Sequence, residues 1–367
     1  MKTYSYIILA LSTTLILLLG GCGEDSSSST AVNLATLGEK LFFDTKLSEP
    51  SGQSCASCHT PENGFADPDS SFSTSEGIIA GQFGARNTPT AAYAAFVPAF
   101  VYDAVEGLYT GGQFLDGRAS LLEDQAKGPP LNPVEMHNPN KASYVTKVAS
   151  ASYAPLVKEI FGLNVFNDPE TAYDKIATAI ATFERTKVFS PFSSKFDAYI
   201  KETATLTAQE LEGLSLFEGK GGCVACHPTR PTADGTPGLF TDFTYDNIGV
   251  PKNMDIPAYA ADANFTDIGL AGNSKVIADG RAAQNRGKFK VSTLRNIALT
   301  GPYMHNGIFK TLKEVVSFYN TRDTNTRRWD VAEIPETVNH DELGNLGLSD
   351  AEEDAIVAFL QTLTDGY

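Results

Sequence analysis

The chain has 367 residues, of which 42% are hydrophobic, and its formal net charge is -16. That length is sufficient for one large hydrophobic core or two medium ones, and two domains are the better expectation. The acidic balance argues against nucleic acid as a partner, because the sequence has no basic stripe that would neutralise phosphates.

The N-terminal segment is typical of an export signal. One lysine precedes an apolar run from Tyr6 to Leu19, which is shorter than the roughly 20 residues of a membrane-spanning helix. The Leu-Gly-Gly sequence before Cys22 resembles the bacterial lipoprotein cleavage box, so residues 1–22 are expected to be a signal peptide. Cys22 would then be the acylated first residue of an exported, periplasmic, lipid-anchored protein; a plain signal anchor is the alternative. Residues 23–33 are serine-rich and are expected to be a flexible tether.

Four of the five cysteines fall in two copies of the pattern C-x-x-C-H. The copies comprise Cys55, Cys58 and His59, and Cys223, Cys226 and His227. In a c-type haem site the two thiols add to the porphyrin vinyl groups, and the adjacent histidine becomes an iron ligand. A single copy would also suit a redox dithiol or half a zinc site, but two complete copies in an exported chain indicate two covalently bound haems.

Each copy lies between predicted amphipathic helices. The helix before the first copy has Leu34, Leu37 and Leu41 on one face, and the helix before the second opens with the capping box Thr207-x-x-Glu210. A further helix is predicted after each copy. The first begins at Asp168 and Pro169, and its apolar face is Ile176, Ile180 and Phe183. The second begins with Ser349 and Glu352, and its apolar face is Ile356, Phe359, Leu360 and Leu363. Helix, haem loop and closing helix are the plan of a small cytochrome c. We therefore predict a mainly α-helical fold with two cytochrome c-like haem domains in tandem and long ordered loops, residues 34–197 and residues 198–367.

The first haem is expected to have an open iron. No His, Met or Cys follows His59 until Met136, so the simplest interpretation is a five-coordinate iron that binds peroxide; Tyr and Lys remain alternative ligands. Breaking the O–O bond requires a group that moves a proton between the two oxygens. Glu135 is the candidate, although an isolated glutamate is more often a solvated surface residue.

The segment Lys310–Asn320, KTLKEVVSFYN, predicts a short helix with Leu312, Val315, Val316 and Tyr319 on its apolar side. By spacing alone, Tyr319 is an ordinary buried aromatic.

A set of motifs in the same order along the mature chain resembles the bacterial di-haem cytochrome c peroxidase and MauG family. These motifs are Cys55–His59, Arg86–Thr90, Asp116–Arg118, Gln125–Pro129, Val134–Met136, Cys223–His227, Leu294–Asn296 and Pro302–Gly307. The resemblance implies that Glu135 is the distal acid-base residue and Gln125 its hydrogen-bonding companion. It also implies a structural Ca²⁺ between the domains, bound by Asn87 and the carbonyl groups of Thr300 and Pro302, since oxygen donors suit this hard ion.

Three positions depart from the cytochrome-fed peroxidases of this family. The loop after the first C-x-x-C-H lacks the histidine that blocks their resting iron, and Tyr319 stands where they have an axial methionine; both features point to the MauG branch. A hard, anionic phenolate favours the higher oxidation states of iron, whereas a soft thioether favours Fe(II). Leu115 replaces the tryptophan that both branches commonly place between the haems. Because leucine cannot be oxidised, this replacement weakens the assignment to the MauG branch.

The remaining candidate ligands have ordinary interpretations. Met304 and Met254 are alternative ligands of the second iron, and His137 is either a surface residue, which we favour, or a modifier of the distal pocket. His340 is expected to be a solvated loop residue. His305 belongs to a family motif and is expected to support the surroundings of the second haem.

The resemblance implies a haem peroxidase that reacts with H2O2 at the haem on His59 and stores oxidising equivalents on both haems. The expected substrate is a residue of a partner protein. The main alternative is a cytochrome c peroxidase that reduces H2O2 with electrons from small c-type cytochromes. A di-haem electron carrier without catalysis is a third interpretation, but a carrier would have no need of an open iron with a distal carboxylate.

Overall fold

The computed structural model of the protein describes residues 26–262 and 264–367. The predicted signal peptide and Cys22 lie outside these residues. Within them, no helix combines the length and the apolar character needed to cross a membrane.

The fold is mainly α-helical, as predicted. The helices are α1 (Ser26–Phe42), α2 (Cys55–Cys58), α3 (Leu122–Gln125), α4 (Lys141–Ser150), α5 (Ala154–Phe161), α6 (Pro169–Glu184), α7 (Lys195–Ile200), α8 (Ala208–Glu218), α9 (Pro257–Ala261), α10 (Ser274–Ala278), α11 (Leu312–Thr321) and α12 (Asp350–Gln361). Two antiparallel pairs of short strands are β1 (Val101–Asp103) with β2 (Leu108–Thr110), and β3 (Tyr245–Asp246) with β4 (Phe289–Lys290). Long loops connect these elements.

The helix before each C-x-x-C-H crosses the helix that closes the same unit, and a glycine permits each crossing. A Cβ on Gly38 of α1 would lie 2.0 Å from the carbonyl oxygen of Ala179 in α6. A Cβ on Gly213 of α8 would lie 1.9 Å from the carbonyl oxygen of Ala355 in α12. Because no side chain fits at either contact, the two backbones touch, and the same helix pair is built twice.

The predicted helix ends are confirmed. The hydroxyl groups of Thr207 and Ser349 accept hydrogen bonds from the third residue of α8 and α12 in complete capping boxes. The Asp168 carboxylate accepts from the amide of Glu170 at the start of α6. The predicted apolar faces of α1, α6 and α12 are buried.

Two large hydrophobic clusters hold the elements together. The first is formed chiefly by α1, α4, α5 and α6, and the second chiefly by α8, α11 and α12. Each cluster therefore packs around one of the duplicated helix pairs. The Arg86 guanidinium links the N-terminal part of the chain to the C-terminal part, since it donates to Asp267 at 2.6 and 2.7 Å and to Asp116 at 2.6 Å.

Helix α1 begins at Ser26, inside the segment 23–33 that the sequence suggests to be a flexible tether. Residues 26–33 are thus part of a helix, whereas the sequence predicts a flexible tether there. Once the apolar turn at Leu37 and Leu41 has formed, each further residue adds one hydrogen bond, so a helix extends readily towards its N-terminus.

Candidate active site and haem-binding cavity

The first C-x-x-C-H holds its histidine ring in a fixed orientation. Cys55–Cys58 form one helical turn, and the His59 amide donates to the Cys55 carbonyl at 3.0 Å. The His59 ring nitrogen Nδ1 lies 2.9 Å from the carbonyl oxygen of Phe65, whose φ of 59° aims that oxygen at the ring. The thiols and the imidazole are therefore presented together by one short loop.

The second copy repeats this arrangement. The His227 amide donates to the Cys223 carbonyl at 2.9 Å, and His227 Nδ1 lies 2.7 Å from the carbonyl oxygen of Phe240. Phe240 also has a positive φ, 53°. The sequence did not reveal that a left-handed phenylalanine orients each histidine, since these residues stand at different distances from the two motifs.

The two histidines have the tautomer and protonation state of iron ligands. A carbonyl oxygen only accepts hydrogen bonds, so Nδ1 carries the proton in each ring and Nε2 keeps its lone pair. Burial lowers the pKa of both His59 and His227, which favours the neutral form that ligates iron. None of the four cysteines among the described residues forms a disulfide, which leaves all four thiols for thioether bonds.

A cavity of about 340 Å³ opens beside the second copy, within the usual size range of cofactor pockets. Cys223, Cys226 and His227 form one part of its wall. The apolar part of the wall includes Phe217, Leu312, Val315, Val316, Ile356 and Leu360. Apolar walls with two thiols and an imidazole at one side are a chemical match for a covalently bound haem.

Helix α11 presents two different faces. Phe318 is fully buried in the second cluster, whereas Leu312, Val315, Val316 and Tyr319 all line the cavity. Tyr319 lies within electrostatic range of Cys223 and Cys226, and burial is the main reason that its phenol pKa is raised. The apolar periodicity read from the sequence thus marks a cavity wall, with the phenol on the same side as the predicted haem.

The alternative ligands of the second iron occupy different places. Met254 is 67% exposed and is not part of the cavity wall, whereas Met304 is. His305 also lines the cavity, and its ring stacks on Phe289 with centroids 3.7 Å apart. Burial lowers the pKa of His305 to about 4, so its ring is neutral.

Glu135 faces the first haem-attachment loop. Its side chain is partly buried and lies within electrostatic range of Cys55 and Cys58, so it is not a freely solvated surface residue. It accepts a hydrogen bond from the side-chain amide of Asn132. Burial raises the Glu135 pKa, while the Asn132 hydrogen bond and the positive charge of Arg118 oppose the rise. A carboxyl group with a raised pKa is better suited to both receive and release a proton near neutral pH.

The described hydrogen bonds join Glu135 to Asn132 rather than to Gln125, the companion that the resemblance implies. Gln125 is the last residue of α3 and is partly buried. The Asn132 side chain also accepts from the Val134 amide at 3.1 Å, which closes the turn that places Glu135. The Asn-Pro pair at this position was a turn signal that could have identified Asn132 in the sequence.

A second carboxyl group near the first loop was not anticipated. Glu184 ends α6, is only 6% exposed, and its Oε2 has no hydrogen-bond partner within the described structure. It lies within electrostatic range of Cys55. Burial raises its pKa to about 8, so Glu184 is protonated at neutral pH.

The residues suggested for calcium all belong to the cavity wall. Asn87, Thr300 and Pro302 all line it. The Asn87 amide group donates to the Ser73 carbonyl at 3.2 Å, which leaves the Oδ1 oxygen for a cation. Leu115 lines the same cavity and its carbonyl accepts from the Lys290 amide at 2.9 Å.

The two other histidines lie at the surface. His137 is exposed, and its Nδ1 is 3.1 Å from the Glu49 carbonyl, in agreement with the surface interpretation. His340 is exposed in a loop and its Nδ1 is 2.9 Å from Asp323.

The chain is similar to several known proteins along most of its length. A family model described as di-haem cytochrome c peroxidase matches residues 32–205. The chain is 38% identical to the methylamine utilization protein MauG of Paracoccus denitrificans, over 97% of this chain and 95% of that protein. It is 34% identical to the cytochrome c551 peroxidase of Nitrosomonas europaea, over 90% of this chain and 80% of that protein.

The fold is also similar to a solved structure. The diheme peroxidase BthA of Burkholderia thailandensis superimposes with a TM-score of 0.84 at 36% identity, and the match covers 90% of this chain and 86% of that one.

Proposed function

Because this chain belongs to the di-haem cytochrome c peroxidase family, we propose that it oxidises residues of a partner protein in the manner of its MauG branch. H2O2 is the oxidant, the haem on His59 is the site of its reaction, and both haems hold oxidising equivalents. The observation that carries the proposal is the position of Tyr319 on the cavity wall with Cys223, Cys226 and His227.

When bound at His59, the haem supplies an iron that binds and reduces peroxide. Glu135 would contribute the proton movement: its carboxylate would receive a proton from one oxygen of the peroxide and return it to the other oxygen, which leaves as water. Asn132 holds this carboxylate by a hydrogen bond and Arg118 balances its charge. Gln125 is proposed as the neighbouring hydrogen-bond donor to the peroxide.

Tyr319 sets the character of the second centre. As a phenolate it supplies an anionic oxygen ligand, which favours a high oxidation state over Fe(II). Burial raises the phenol pKa, so Tyr319 would bind as a phenolate only where the positive charge of a bound iron offsets that rise. A centre with this ligand retains an oxidising equivalent and is a poor entry point for electrons from a cytochrome.

A cytochrome c peroxidase is the alternative, and the similarity to the Nitrosomonas europaea enzyme favours it. Steady-state consumption of H2O2 with a reduced small c-type cytochrome separates the two functions. Slow turnover is expected for the proposed function. Rapid turnover would identify peroxide removal as the main activity.

The cellular location of the protein and a bound calcium ion are also part of the proposal. Export and a lipid anchor at Cys22 are supported by the sequence alone, and mass spectrometry of the mature N-terminus tests them. The three oxygen donors at Asn87, Thr300 and Pro302 support a Ca²⁺ between the domains; elemental analysis of the purified protein before and after chelation tests it.

A further inference from the structure

Tyr93 lies where the two haem loops approach each other. The Phe65 carbonyl, which orients His59, also accepts a hydrogen bond from the amide of Ala91 at 2.9 Å. Two residues further on, the Tyr93 ring lies 5.0 Å from the guanidinium of Arg295. The same guanidinium lies 5.8 Å from the ring of Phe240, the residue that orients His227. Tyr93 is therefore a few contacts from either histidine, and it lines the cavity of the second haem.

The Tyr93 backbone is held in an uncommon conformation. Its φ is 60° and its ψ is 5°, the left-handed region that a bulky residue seldom adopts. The amide donates to the Phe189 carbonyl at 3.0 Å and the side chain is 2% exposed. Strained residues of this kind persist only where the surrounding structure holds them, and they cluster at functional sites.

The Tyr93 hydroxyl has a proton acceptor in place. It lies 2.9 and 3.0 Å from the two carboxylate oxygens of Asp365, while its own oxygen accepts from the Phe192 amide at 3.1 Å. The other donors to the Asp365 carboxylate are neutral groups of Ser193 and Asn296. The Arg295 guanidinium, which lies over the Tyr93 ring, pairs with Asp197 at 2.8 Å rather than with Asp365, so that cation does not compete with the phenol for the Asp365 carboxylate.

Resting on the proposed function, we propose that Tyr93 is a redox relay between the two haems, with Asp365 as its proton acceptor. The phenol gives one electron to the peroxide-oxidised haem on His59 and its proton to the Asp365 carboxylate. The products are a neutral tyrosyl radical and a carboxylic acid. One electron from the haem on His227 and the proton from Asp365 then restore the phenol. Leu115 cannot be oxidised, so this route replaces charge transfer through a residue at that position.

The test compares the di-haem protein with Tyr93→Phe, Asp365→Asn and the control Tyr109→Phe. Tyr109 is a matched residue, since it is 1% exposed and its hydroxyl donates to Asp279 at 2.7 Å, but it packs in a separate cluster. After one equivalent of H2O2, freeze-quench EPR follows the ferric signal of the second haem and the tyrosyl signal. Ring-deuterated tyrosine identifies the latter.

We expect the ferric signal of the second haem to decay at least about tenfold more slowly in Tyr93→Phe and Asp365→Asn than in the wild type, equivalent to about 1.4 kcal/mol of barrier. Tyr109→Phe should match the wild type. The tyrosyl signal should disappear in Tyr93→Phe and be weaker in Asp365→Asn, which lacks the proton acceptor. Equal decay rates with an unchanged radical in Tyr93→Phe would overturn the relay and leave the proposed function standing.

A second arm does not depend on peroxide. A photogenerated ruthenium(III) tris-bipyridine oxidises the diferric protein, and transient absorption detects the tyrosyl radical. If H2O2 oxidises neither haem, the proposed function fails, and this arm decides the relay. The relay is supported if the radical is absent in Tyr93→Phe and has a shorter lifetime in Asp365→Asn. It is rejected if Tyr93→Phe gives the radical in the same yield as the wild type. Thermal unfolding of each variant separates loss of packing from loss of the relay.

Discussion

Replacement of Glu184 by glutamine should change how the stability of the protein depends on pH. Burial raises the pKa of this carboxyl from 4.5 to about 8. Between these values the folded protein keeps the proton that the unfolded chain has lost, so the wild type loses stability as pH rises. At about 1.4 kcal/mol per pH unit, the loss from pH 5 to pH 7.5 is roughly 3 kcal/mol.

Glu184→Gln keeps the shape of the side chain without a titrating proton. Its free energy of unfolding relative to the wild type should therefore rise by roughly 3 kcal/mol between pH 5 and pH 7.5. Urea denaturation of the di-haem protein at several pH values measures this difference. Glu123→Gln is the control, because the Arg185 hydrogen bond lowers the Glu123 pKa. For this variant the stability difference from the wild type should change with pH only in the acidic range, and there the wild type becomes less stable as pH falls. A constant difference for Glu184→Gln would show that Glu184 ionises normally.

The second centre and the buried framework give further predictions. Tyr319→Met should raise the reduction potential of the second haem, since a thioether favours Fe(II); potentiometric titration measures it, and an unchanged potential would exclude Tyr319 as the ligand. Asp197→Ala should destabilise the protein by about 3–5 kcal/mol, because Arg295 is 1% exposed and would be left as an unpaired buried charge; a loss below about 1 kcal/mol in urea denaturation would contradict this. Gly213→Ala should cost about 1–3 kcal/mol by forcing α8 away from Ala355, and thermal unfolding measures it; no change in Tm would mean that the helices separate freely.

The parts of the site that depend on local spacing could be predicted. The C-x-x-C-H pairs, the capping boxes and the apolar face of α11 are set within ten residues or fewer, so the sequence shows them directly. The turn at Asn132 is equally local, and the Asn132-Pro133 pair marks it in the sequence.

The parts that depend on distant contacts could not be predicted. Glu184 follows the apolar face of α6 and resembles a solvated helix end until the packing around it is known. Tyr93 and Asp365 are 272 residues apart in the sequence, and no periodic pattern links them. The left-handed backbone at Phe65 and Phe240 is imposed by the tertiary structure, since phenylalanine has no preference for that conformation.

The central claim is that an open first haem and a tyrosine-ligated second haem together retain the oxidising equivalents of peroxide. Addition of one equivalent of H2O2 to the diferric protein, followed by optical and EPR spectroscopy, tests it most directly. The account predicts a five-coordinate first haem before addition, and afterwards the loss of both ferric signals with a long-lived oxidised state. A six-coordinate first haem, or an immediate return to the diferric spectrum without added reductant, would contradict it.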